Sequence, residues 1–169
     1  LYQMKGLDVI EKVEVETPFG PPSDKIVIGE LEGKKIAFLP RHGVGHFIPP
    51  SDINFRANIF AMKKIGADRI ISVSAVGGMK ENMPPGHFVV PHQFIDRTHR
   101  RISTFFTQGM VGHVSLADPV CLSTAETLFQ AAQNAGTDVH EGNLAGVLKS
   151  TRLETNAERH WRGLSKIFF

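Results

Sequence analysis

The chain has 169 residues, 41 % of them apolar and 21 % charged, and a formal charge of +2 with histidine neutral. These values fit one globular domain with a real core; the charge is too small and too scattered to recommend nucleic acid or a membrane surface as partner, and no apolar run is long enough to span a bilayer. A single cysteine, Cys121, rules out an internal disulfide and is compatible with a cytoplasmic setting.

In chain order, "DVIEKVEVET" alternates Val13 and Val15 with Glu14 and Glu16, the period of a strand. "FGPPSD" is a turn cluster, and "KIVIG" and "KKIAFLP" read as two further strands joined by a turn at "LEG". A helix is expected from Ser51, with Ser51 as N-cap, Asp52 in the first turn, Ile53, Ala57, Phe60 and Ala61 on one face, and Gly66 as its stop. "RIISVSAVGG" follows as a buried strand running into a Gly-rich turn, which makes a βαβ unit around that helix. "HFVVP" predicts a short strand. "STAETLFQAAQNAG" predicts a helix with a capping box of Ser123 and Glu126, closed by Gly136. Beyond Glu141 the pattern weakens, although "RLETNAERHWRGL" has helical character. There are no internal repeats and no low-complexity tract.

Chemistry concentrates in "LPRHGVGHFIPPSDINFRAN", where Arg41, His42 and His46 share one short stretch. A metal site is disfavoured: Gly43, Gly45, Pro49 and Pro50 prevent the helix that would align the histidines, and Asp52 is the nearest acid. An anion fits better, because the stretch joins a strand to a helix, Arg41 offers a planar fork, His42 can donate, and the glycines let the backbone come close. "SVSAVGG" is a second candidate cradle, with the Ser74 hydroxyl and amide, the Ala75 amide, and Gly77 and Gly78 to turn the chain. Singly, each loop is better explained by a plain turn, with Arg41 in solvent; together they favour a phosphate or nucleotide-like ligand. No nucleophilic triad emerges, Cys121 reads as a small structural residue, and "QFIDRTHRR" as a solvated, salt-bridged loop. His113 and Asp118 in "GHVSLADPVC" read as structural residues of an irregular segment.

Five stretches in order, "TPFGPPSD", "PRHGVGHFIPPSDINFRANIFAMKKIGA", "SVSAVGG", "PGHFVVPHQFIDRT" and "HVSLADPVC", resemble the 5′-methylthioadenosine phosphorylases of the trimeric purine nucleoside phosphorylase family. The likeness runs from Leu1 to about Cys121 and more loosely to Gly142. It implies a three-layer α/β/α fold around a twisted mixed sheet, incomplete here, as one partial domain over residues 1–169 with a divergent tail at 143–169. The implied reaction is phosphorolysis of 5′-methylthioadenosine, with inorganic phosphate as co-substrate and no metal or organic cofactor. By the same resemblance, Arg41, His42, Ser74 and Ala75 bind phosphate, Val76, Gly77 and Leu153 line the nucleoside, and His113 reaches a neighbouring subunit's pocket. His46 has a supporting role. The family implies a cytoplasmic homotrimer or trimer-based hexamer, acting in purine salvage without nucleic acid or membrane.

Departures from the family pattern are equally specific. The family's opening Gly-rich phosphate loop would precede Leu1, and the chain ends on the apolar "KIFF", so a truncated or frameshifted chain is expected. In "LKSTRLETNAER", Arg152, Thr155, Ala157 and Glu158 match, whereas Lys149, Ser150 and Thr151 replace a Glu-Gly-Pro run. The family's general acid belongs to a downstream part not found here. Purine nucleoside or 5′-methylthioinosine phosphorolysis, a hydrolytic nucleosidase and a catalytically incompetent remnant are the alternatives.

Overall fold

The computed structural model describes residues 4–148 except Met79, Arg100 and Gln108, with residues 143–148 described by backbone alone. The fold is α/β, with the described elements in the order β-β-β-α-β-α-β along two compact units, Leu1–Ser72 with Ser103–Phe105 and Val73–Ile102 with Phe106–Phe169. Among the described residues no helix is long and apolar enough to cross a membrane.

In the first unit, β1 (Asp8–Val13), β2 (Ile26–Leu31) and β3 (Lys34–Phe38) form an antiparallel sheet with β2 in the middle. The run Ile26, Val27, Ile28 is buried throughout, as an unbroken apolar strand covered on both faces requires. Leu31 pairs with Lys34, so the expected "LEG" turn narrows to Glu32 and Gly33. Both have positive φ, 50° and 74°, the geometry of the two-residue turn whose twist matches the strands. Helix α1 (Phe55–Lys64) brings Ala61 against Ile26 and Ile28, and Val13, Val15, Ala37, Leu39, Met62 and Ile65 pack around them.

The N-cap of α1 is Asn54, not Ser51. Asp52 N–H bonds the Pro49 carbonyl at 2.9 Å, so Ser51 lies inside a turn, four residues before the helix begins at Phe55. Asn54 Oδ1 instead accepts from Ala57 N–H at 3.1 Å. The C-terminus stops at Gly66 as expected: Ala67 N–H reaches Met62 O at 3.1 Å and Gly66 N–H reaches Lys63 O at 3.0 Å, a Schellman closure.

The βαβ unit lies elsewhere than the sequence suggests. Residues 69–77 carry no strand: they join no ladder among the described residues, and Ile70, Ile71 and Val73 are exposed. The unit is formed instead by β4 (Phe88–Arg97), α2 (Leu122–Asn134) and β5 (Val139–Leu148), with β4 and β5 parallel. β4 is twice the expected length and takes in the first five residues, "QFIDR", of the stretch "QFIDRTHRR" that the charge pattern marks as a loop. Its register shifts at Pro91, the residue with no N–H to give the ladder. α2 starts two residues earlier than its capping-box pattern implies, with Cys121 rather than Ser123 at the cap and no side-chain cap bond. Its C-terminal closure repeats that of α1, with Thr137 N–H to Ala132 O at 3.1 Å and Gly136 N–H to Gln133 O at 2.9 Å.

Candidate functional site: the Arg41–His42 turn

β3 delivers the chain to Pro40, where two consecutive tight turns reverse it. Gly43 N–H bonds Pro40 O at 2.8 Å and His46 N–H bonds Gly43 O at 3.0 Å. Gly43, Gly45 and His46 have φ of 73°, 94° and 59°, so three of four successive residues are left-handed. That conformation disfavours side-chain-bearing residues and explains the paired glycines. The sequence suggests that these glycines open backbone amides to an anion. The amides of Gly43 and His46 are instead closed within the turn, and Val44 N–H is held by Asp24 Oδ2 at 2.7 Å. These three amides are thus already occupied within the protein, and the turn presents its side chains.

Those side chains are ordered by a short relay. His42 Nδ1 lies 2.8 Å from the Ile48 carbonyl, and Ile48 N–H returns a bond to His42 O at 3.0 Å. A carbonyl only accepts, so Nδ1 carries the proton and Nε2 presents its lone pair. Arg41 Nε donates to that nitrogen at 3.2 Å, and Arg41 Nη1 donates to Ser72 Oγ at 3.4 Å. Partial burial pushes the Arg41 guanidinium pKa down from its usual value. His46 stacks on His42, with ring centroids 4.2 Å apart and planes 26° from parallel. The histidines thus support each other face to face rather than converging on a cation. Among the described residues no group of three or more His, Cys, Asp or Glu side chains has metal-holding geometry.

The other expected site residues are placed as follows. Ser74 is half-buried, and Ala75, Val76 and Gly77 are exposed, all in the segment without strand or helix. They belong to the second unit, whereas Arg41 and His42 belong to the first. His113 is exposed in an irregular segment of the second unit. Leu153 lies outside the described residues, as does the expected helix at "RLETNAERHWRGL".

Several polar groups escaped the sequence reading. Ser72, not singled out in "SVSAVGG", is the serine that meets Arg41. Asp24 and Ser23, read only as turn formers, tie the first unit together: buried Asn58 accepts Ser23 N–H at 2.8 Å and donates to its hydroxyl at 2.9 Å. At the start of the parallel strands, His87 Nδ1 lies 2.9 Å from His140 Nε2, with the rings stacked 5.1 Å apart and His87 Nε2 3.5 Å from Asp138. Cys121 is not a packed structural residue; its thiol is exposed. Hydrogen bonds from Ser123 and then Thr124 to the sulfur lower its pKa to about 7.

A sequence model of the phosphorylase superfamily matches residues 5–165. S-methyl-5′-thioadenosine phosphorylase of Geobacter sulfurreducens is 52 % identical over 99 % of the chain and 60 % of its own length. Purine nucleoside phosphorylase of Streptomyces coelicolor is 42 % identical over 92 % of the chain and 58 % of its own length. The crystal structure of a methylthioadenosine phosphorylase from an antarctic soil metagenomic library superposes with a TM-score of 0.96 at 44 % identity, covering 99 % of the chain and 60 % of that structure. The chain therefore spans about three fifths of the length of the relatives it matches.

Proposed function

The chain belongs to the phosphorylase superfamily, and we propose that it carries the phosphate-handling part of a 5′-methylthioadenosine phosphorylase. The observation that carries this reading is the Arg41–His42 pair, a half-buried cation and an oriented imidazole held side by side at the end of β3. In the reaction, a phosphate oxygen forms a bond to the anomeric carbon as the bond from that carbon to the purine nitrogen breaks. The departing electron pair goes to adenine, and 5-methylthioribose 1-phosphate is left. The transition state resembles an oxocarbenium ion, so a phosphate held against it is both nucleophile and counter-charge. As drawn, the chemistry calls for neither metal nor organic cofactor.

Arg41 supplies fixed positive charge and a donor fork for the phosphate. His42 Nε2 is an acceptor while Nδ1–H is bound to Ile48 O; it receives a proton-bearing oxygen of hydrogen phosphate once Arg41 Nε–H, which occupies it in this structure, turns to the anion. Ser74 and Ala75 complete the phosphate set in this reading. Val76, Gly77 and Leu153 serve the nucleoside, and His113, exposed as such a role requires, serves a neighbouring subunit in a cytoplasmic trimer or trimer-based hexamer. The general acid for the purine is assigned to no described residue.

Purine nucleoside phosphorolysis is the second reading, favoured by the Streptomyces relative. The test measures purine release from 5′-methylthioadenosine, inosine and adenosine by the 169-residue chain, with and without phosphate, beside direct phosphate titration. Phosphate-dependent adenine release supports the proposal, and release without phosphate marks a hydrolase. Phosphate binding with no release marks a binding-only remnant. Arg41→Ala should weaken phosphate binding at least tenfold, about the loss of one charge-assisted contact; unchanged phosphate affinity would remove this turn from the site.

A further inference from the structure

We propose that Asp24 is a positioning residue for the Arg41–His42 turn, an inference that rests on the phosphate reading above. The turn is conformationally expensive: Gly43, Gly45 and His46 all have positive φ, and a non-glycine such as His46 holds that geometry only when its surroundings impose it. Its internal bonds, from Gly43 to Pro40 and from His46 to Gly43, close the two tight turns but do not tie them to the sheet. Asp24 supplies that tie. One carboxylate oxygen accepts Val44 N–H at 2.7 Å across 20 positions of sequence, and the other accepts Lys25 N–H at 2.8 Å, at the threshold of β2. Val44 stands two residues beyond His42, inside the loop that His42 closes through Ile48.

The carboxylate is itself held. Its neighbour Ser23 is clamped through backbone and hydroxyl by Asn58, which is buried in α1. Asn54, at the cap of the same helix, donates to Phe19 O at 2.7 Å. Phe19 packs edge-on against Phe60 at 5.7 Å between ring centroids, beneath the Arg56 guanidinium. A continuous series of contacts thus runs from the cap of α1 through residues 19–24 to the amide of Val44.

Charge alone predicts the opposite sign of effect. A carboxylate beside an anion turn repels phosphate, so removing it should tighten binding. Positioning predicts that removing it weakens binding, because Arg41 and His42 lose their common frame. Asp24→Asn deletes the charge but keeps one acceptor oxygen, and so separates the two effects.

The experiment compares the full chain with Asp24→Ala and Asp24→Asn, titrated with inorganic phosphate and followed by amide and histidine-ring nitrogen NMR. Asp24→Ala should bind phosphate roughly tenfold more weakly and speed Val44 amide exchange roughly tenfold, the loss expected for one charge-assisted bond. The His42 ring should lose its single tautomer, while amides of Ile26 and Ile28 keep their protection. Asp24→Asn should recover much of the phosphate affinity. Unchanged or tighter phosphate binding by Asp24→Ala, an unaltered Val44 amide and His42 tautomer in Asp24→Ala, or an Asp24→Asn variant as weak as Asp24→Ala, overturns the proposal. If the unsubstituted chain binds no phosphate, the functional reading fails, and the Val44 and His42 signals still decide the role of Asp24.

Discussion

Asn54 offers a quantitative test of how the first unit is held together. Its side chain does two jobs: Oδ1 caps α1 by accepting Ala57 N–H at 3.1 Å, and Nδ2 donates to Phe19 O at 2.7 Å. Replacing an N-cap by alanine costs about 1 kcal/mol, and losing the half-buried amide–carbonyl bond costs about 1 kcal/mol more, so Asn54→Ala should destabilise by about 2 kcal/mol. Asn54→Asp keeps the capping oxygen, adds a negative charge at the helix N-terminus and loses only the Nδ2 donor, so it should lose about 1 kcal/mol or less. Ser51→Ala is the control, because Ser51 lies in the preceding turn and makes no cap; a change within about 0.5 kcal/mol is expected of such a surface position. Urea unfolding followed by far-UV circular dichroism reads all three. With a slope near 2 kcal/mol/M, Asn54→Ala should lower the midpoint by roughly 1 M. The reasoning fails if Ser51→Ala costs as much as Asn54→Ala, or if Asn54→Asp is as damaging as alanine.

Gly43→Ala should cost about 1–2 kcal/mol, the penalty of placing a side chain at φ 73°. The new methyl would also meet the Phe47 ring at 2.7 Å, but that ring is 70 % exposed and can swing aside, so a loss well above this range in urea unfolding would show a tighter turn than described. Cys121, the single cysteine, should react with iodoacetamide at a rate that reaches half its plateau near pH 7 in the folded chain and about 1.5 pH units higher in urea, because only the thiolate attacks. Ser123→Ala should move the folded profile upward, as Ser123 is the largest cause of the lowered pKa; identical profiles in folded and unfolded chain would exclude this account.

What was legible in the sequence is what neighbouring residues decide. The β2–β3 hairpin, the apolar face of α1 and both Gly-closed helix ends depend on spacings of a few residues, and the structure has them where the pattern indicates. The Arg41–His42 pairing is equally local, since both side chains are organised within the span to Ile48, apart from the Ser72 contact. Helix starts were harder. Ser51 and Ser123 are good cap types in suitable places, yet the prolines before Ser51 form a turn that defers helix entry to Asn54, and α2 begins behind a cysteine that makes no side-chain cap bond.

Strand pairing was the least legible, and the reason is physical. Periodicity reports which face of a segment is apolar, whereas a strand exists only through the partner that completes its ladder. "RIISVSAVGG" has the stronger apolar run, yet its residues 69–77 join no ladder among the described residues, while "QFIDR", charged and unpromising, is drawn into β4 because β5 lies alongside it from Phe88 to Arg97. The same limit governs the candidate site. Arg41 and His42 were found because their chemistry is written in adjacent letters. Asp24 was not, because its use depends on a bond to Val44, 20 residues away, and an Asp after Pro-Pro-Ser reads equally well as a turn residue. A motif that looks like punctuation, "TPFGPPSD", thus contains the brace of the catalytic-looking motif that follows it. In the phosphate reading, the acid that the charge rule would place far from the anion is accommodated because both of its oxygens already accept backbone amides.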